Sequence, residues 1–229
     1  MTTSSLFLLL ADGRFPAGAH AHSGGLEAAV AAGRVTDLAT LEAFLAGRLA
    51  TAGLVGAAFA AAAHRAVTSG SAVRGSTLAL LDAELDARTA APALRTVSRR
   101  QGRALLRAGR AIWPEASFDD LPATPGGAHQ PLVLGLLCAA AGLSRAETAT
   151  VAVHGTVTGA ASAAVRLLGL DPYRVQALLV GLAGRCDGIA AAAARAADDP
   201  PERLPAAAAP LADIHAEAHA TWEVRLFAS

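Results

Sequence analysis

Two imidazoles stand four residues apart in His215-Ala-Glu-Ala-His219, so on a helix both face one way and could share a metal ion. Glu217 lies between them and points elsewhere, which separates this pattern from the His-Glu-x-x-His arrangement of zinc hydrolases. No third ligand stands at a recognisable spacing, so a polar or interface helix face is the plainer reading. A metal-dependent helical enzyme built on His215 and His219 is the alternative. Arg95, Arg99, Arg103, Arg107 and Arg110 fall within an arc of about 120° on a helix, with Arg100 just outside it. Residues 95–110 contain no acid. The face either docks an acidic partner or is a solvated surface pairing with acids such as Asp82, Glu84 and Asp86.

The remaining candidates are weaker. Gly155 and Gly159 sit in a run of small residues, which in a helix means close packing rather than phosphate binding. Cys138 lies in an apolar run, where a thiol is inert. The glycines at 13, 18, 24 and 25 do not follow a strand and form no dinucleotide fingerprint. All 19 basic residues are Arg, and the absence of Lys excludes both a Walker-A loop and a Schiff-base enzyme. Nothing assembles a catalytic site. With 19 acids the net charge is zero, and no aromatic residues interleave the arginines, so nucleic acid is not expected as a partner.

The elements that must hold these residues are helical. Only 4% of the residues are aromatic, so the core of this 229-residue chain must be Ala, Leu and Val, a composition suited to close helix packing. The expected helices cover residues 4–11, 23–32, 36–49, 53–67, 78–88, 92–113, 132–142, 145–168, 172–197 and 211–227. Ser69-Gly70-Ser71 marks a loop, and residues 114–131 form a long irregular stretch rich in Pro, Gly and Asp. Alternating β-branched runs are missing. The expectation is an all-α, single-domain bundle of about eight to ten helices over residues 1–229, with a flexible tail around 200–229. Mean hydropathy is +0.41, but the uncharged stretches 121–144 and 148–165 are broken by Pro or rich in Ala, Gly and Thr. Neither membrane insertion nor export is expected, and Cys138 and Cys186 read as reduced thiols of a cytoplasmic protein.

One segment stands apart: residues 8–27, LLLADGRFPAGAHAHSGGLE. It joins an apolar helical turn to a Pro/Gly elbow, two histidines and a helix start, where Glu27 can meet the helix dipole. Asp12, Phe15, Pro16, Gly18, His22, Ser23, Gly25, Leu26 and Glu27 resemble the opening of the urease accessory protein family UreF. The likeness continues through Ser98-Arg-Arg-Gln-Gly102 and Thr158-Gly159-Ala160. At the other end, His219-Ala-Thr-Trp and Arg225-Leu-Phe-Ala-Ser229 are similar to the family's closing motifs. His20 stands where an aromatic residue is common.

The resemblance implies an all-helical adaptor without catalytic chemistry or a stably bound cofactor. Such a chaperone bridges UreD (also UreH) and the GTPase UreG, commonly as a homodimer. The assembly docks on apo-urease and supports GTP-dependent nickel insertion, with nickel handled by the complex. Partner contact is then expected at Pro16, Gly18, His20, His22, Ser23 and Glu27 of the elbow, and at His219 and Arg225 of the tail. Arg225 would become ordered on docking, and the Arg95–Arg110 face is a second candidate.

Overall fold

The computed structural model describes residues 5–16, 18–70 and 73–228; Ser4, Ser71 and Ser229 of the readings above lie outside them. Among the described residues there are helices and turns but no strand. The helices are α1 (Ser5–Ala11), α2 (Leu26–Ala31), α3 (Leu38–Arg48), α4 (Leu54–Thr68), α5 (Arg74–Arg88), α6 (Pro92–Ile112), α7 (Gln130–Ala140), α8 (Arg145–Leu168), α9 (Pro172–Ala196) and α10 (Pro210–Ala220). A π turn, Leu49–Gly53, joins α3 to α4 end to end. The all-α bundle expected from composition is what forms.

Local chemistry sets the boundaries. Asp37 and Thr40 cap α3 reciprocally, and Ser144 and Glu147 do the same for α8. Proline opens α6, α9 and α10, where its missing N–H costs nothing. Gly169, at φ 63°, ends α8. Helix α5 begins at Arg74, one turn before the expected start. The expected helix over 211–227 is shorter: α10 stops at Ala220, and the chain beyond it turns back to donate backbone N–H groups elsewhere.

Helix α4 is the axis of the core and packs against α7, α8 and α9. Its Ala57, Ala58, Phe59, Ala60, Ala61 and Ala63 are fully buried. Small side chains allow the backbones to close up, as at Gly135 of α7. A Cβ there would overlap the Ala60 carbonyl oxygen and stand 2.8 Å from the His64 nitrogen. Leucines 41, 45, 49, 78, 132 and 137 fill the remaining space at no exposure, each contributing about 1.5–3 kcal/mol of burial. The segments Leu38–Thr68, Arg145–Leu168 and Pro172–Ala196 are long and apolar enough to cross a membrane by length and composition. They are unequally covered: 44% of the apolar stretch is buried in the first and 22% in the last.

The irregular stretch between α6 and α7 is held by a buried polar network. Arg99 of α6 pairs with Asp82 at 2.9 Å and Asp86 at 2.7 Å, both on α5. It also donates to Thr124 and to the Gly127 carbonyl. Asp82 accepts the backbone N–H of His129 at 3.1 Å. The His129 ring lies between Asp86, 2.8 Å from Nε2, and Ser98 Oγ, 2.9 Å from Nδ1. Burial pushes His129 below its ordinary pKa against the pull of Asp86, so the ring is neutral at pH 7. Arg99 is thereby withdrawn from the basic face of α6.

Candidate partner-docking site

The elbow is built from short-range bonds. Asp12 accepts from the backbone N–H of Arg14 at 2.9 Å and pairs with its guanidinium at 2.7 Å, which holds the carboxyl down at about 2. Phe15 turns inward and is buried, leaving Pro16 at the surface. A 3₁₀ turn, Ala19–Ala21, follows, with His20 exposed. Gly24 and Gly25 then take left-handed conformations at φ 63° and 88°. At Gly24 a second constraint applies: a Cβ would stand 2.8 Å from the Arg48 guanidinium, which rises from the end of α3 and donates to the Gly24 carbonyl. Burial lowers Arg48 to about 10, so it remains a cation at neutral pH.

The next residues fasten the far end of the chain. Ser23 is fully buried, and its hydroxyl accepts from the Glu27 N–H at 3.2 Å. Glu27, in the first turn of α2, does more than face the helix dipole. One carboxylate oxygen accepts from the Leu226 N–H at 2.7 Å. The other meets His219 Nε2 at 2.9 Å and the Phe227 N–H at 3.0 Å. Burial pushes this carboxyl up, but the donors from Leu226, His219 and Phe227 outweigh it and hold it below the ordinary value. The Ala228 N–H closes the turn on the Ala21 carbonyl at 2.7 Å.

Packing completes the clamp. Phe227 is buried beneath the guanidinium of Arg166 from α8, 4.7 Å from the ring centre. His219 lies against Trp222, with ring centres 4.7 Å apart. Glu217 accepts the Ala93 N–H at 2.7 Å and so caps the start of α6. Of the residues in the two-histidine pattern, His219 is committed to Glu27 and Glu217 to the start of α6.

The structure brings the eight sequence-marked residues into one region and sorts them by depth. Ser23, Glu27 and His219 are buried; Gly18 and His22 are half-buried; Pro16, His20 and Arg225 are exposed. Burial, reinforced by the guanidinium of Arg100 on α6 and by His20, pushes His22 below its ordinary value. Arg48 and Arg166 were not legible as parts of the site, because neither stands in a motif with the residues it supports.

A sequence model of the family described as UreF matches residues 35–183. The protein named urease accessory protein UreF from Mycobacterium sp. (strain JLS) is 47% identical over 229 residues, all of both chains. That from Mycolicibacterium vanbaalenii is 44% identical over the same span. The protein of this name from Mycobacterium tuberculosis H37Rv is 47% identical over 192 residues, 83% of this chain and 85% of its own. The full-length alignments include the elbow and tail that residues 35–183 leave out.

Proposed function

This chain belongs to the UreF family of urease accessory proteins, and from that premise we propose that it is the adaptor that bridges UreD (UreH) and the GTPase UreG. In this reading it works in the cytoplasm, and the bridged complex docks on apo-urease and inserts nickel at the expense of GTP. Nickel is the cargo of the assembly; the chain itself supplies shape rather than a resident cofactor.

The observation that carries the reading is the Glu27 clamp. It gathers residues about 200 positions apart into one surface, with Pro16 and His20 on the elbow side and Arg225 on the tail side. Exposed Arg225 can make a bidentate contact with a partner carboxylate. Ser23, Glu27 and His219 act from inside by holding the two segments together, and Gly18 shapes the approach to the 3₁₀ turn. Support for a homodimer comes from a different face. Leu8 and Leu9 of α1 are 62% and 48% exposed beside a cleft that reaches Thr150 and His154 of α8. Across the adjoining α8–α9 groove, Val180 is 76% exposed.

The test is complementation of a urease operon lacking its UreF, supplied with this chain and its cognate UreD and UreG. Restored urease activity together with restored nickel per apo-urease is the expected result. Arg225→Ala is expected to abolish UreG recruitment in a pull-down while leaving the circular dichroism spectrum unchanged. Soluble chain that neither binds UreD nor rescues activity would overturn the adaptor reading. Undiminished recruitment by Arg225→Ala would remove the tail from the docking site.

A further inference from the structure

We propose that the outer ridge of α6 is a docking surface for an acidic protein segment. Arg100, Arg103, Arg107 and Arg110 are all exposed and fall within an arc of about 80° along roughly 15 Å of helix. Every charge on α6 is positive. Five arginines stand on this side in the sequence, and the structure divides them. Arg99 turns inward to Asp82 and Asp86, and Arg95 reaches the Thr89 carbonyl.

The outer guanidinium groups are under-compensated. Arg110 has Asp119 at 4.0 Å, with both side chains largely in solvent, and Arg103 donates to the Gly126 carbonyl, a neutral acceptor. Arg100 and Arg107 have no carboxylate within ion-pair distance among the described residues. Glu217, at the start of α6, is occupied by the Ala93 N–H. Four like charges set one turn or less apart repel one another, and in a chain of zero net charge this ridge is a local concentration rather than an overall excess.

The guanidinium fork matches carboxylate geometry, and the 3- and 4-residue steps of the ridge match carboxylates repeated along an extended or helical segment. The ridge carries no exposed aromatic residue on which bases could stack, which favours a protein acid over a nucleic acid. Arg100 also acts electrostatically on His22, which places the near end of the ridge within charge range of the elbow. This inference reaches beyond the adaptor reading and needs only the ridge.

The experiment titrates the full-length protein into a fluorescein-labelled, glutamate-rich helical peptide and its glutamine counterpart, with fluorescence anisotropy as readout. Saturable binding of the glutamate peptide that weakens with salt is expected. Arg100→Glu with Arg107→Glu should reduce affinity by roughly tenfold or more, whereas Arg174→Glu with Arg185→Glu on α9 should leave it unchanged. If the double reversal fails to fold, Arg100→Gln with Arg107→Gln tests the same groups with a smaller expected loss. No binding of the glutamate peptide would overturn the proposal, as would equal losses in both pairs. Tighter binding to a single-stranded oligonucleotide or to phosphatidylserine vesicles would also overturn it. None of these outcomes depends on the urease complementation.

Discussion

The molecule contains two buried polar clusters that look alike and hold different things. In one, Asp82, Asp86, Arg99 and His129 tie α5, α6 and the long loop to the start of α7. In the other, Glu27 holds α10 and the tail against α2. The first contains a guanidinium paired with two carboxylates, and losing Arg99 leaves buried Asp82 without its cation. The second is one carboxylate facing an imidazole and two backbone N–H groups, so it opens at smaller cost. The difference teaches where rigidity is invested: charge pairs fix the scaffold, and a lighter clamp sets the surface that partners would meet.

The largest expected effect tests the scaffold side. Asp82→Ala removes the fully buried carboxylate of the pair, leaving Arg99 with half-exposed Asp86 and the His129 N–H without its acceptor, and should lower the unfolding free energy by about 3–5 kcal/mol, read by urea denaturation. Glu27→Gln comes next, at about 1–3 kcal/mol, because it weakens the reception of three donors. Its signature is local: residues 219–228 should gain hydrogen exchange and protease sensitivity while α4 and α7 stay protected. Equal deprotection of core and tail would erase the distinction between the clusters.

Acid should separate them further. The neutral ring of His129 has a folded pKa below its unfolded 6.5, so its contribution is whole above 6.5 and lost as pH falls through the folded value. Glu27 is likewise lowered, from 4.5, so the clamp's contribution is whole above 4.5 and lost further down. Unfolding free energy measured against pH should therefore decline first through the network. His129→Gln should flatten the upper part of the slope, leaving shares from His22, His64 and His154, which burial also lowers. The smallest effect is on the clamp's edge. Arg166→Ala removes the cation over Phe227 and should cost about 0.5–1 kcal/mol, detectable as faster exchange at the tail alone.

Much of the fold was legible because its signals are local. The helices α6, α8 and α9 begin where expected, and the caps the structure reveals, Asp37 with Thr40 and Ser144 with Glu147, each act within one turn of helix. The end of α10 was not legible, because what stops it is Glu27, about 200 residues away. The elbow and tail were marked by motifs, yet only the structure shows that they touch. Asp82 and Asp86 were candidate partners for the arginines in general; that Arg99 alone takes both depends on how α5 packs beside α6. Arg48 left no trace in sequence, since its role under Gly24 comes from the path of the chain above it.

The clamp also has a consequence in time. During synthesis, Glu27 leaves the ribosome early and waits, a carboxylate without its donors, until Leu226 and Phe227 have emerged from the exit tunnel. A nascent chain that has not reached Leu226 and Phe227 lacks the donors that assemble this surface. Any partner that recognises elbow and tail together thus reads whether translation has passed Phe227 before committing to assembly.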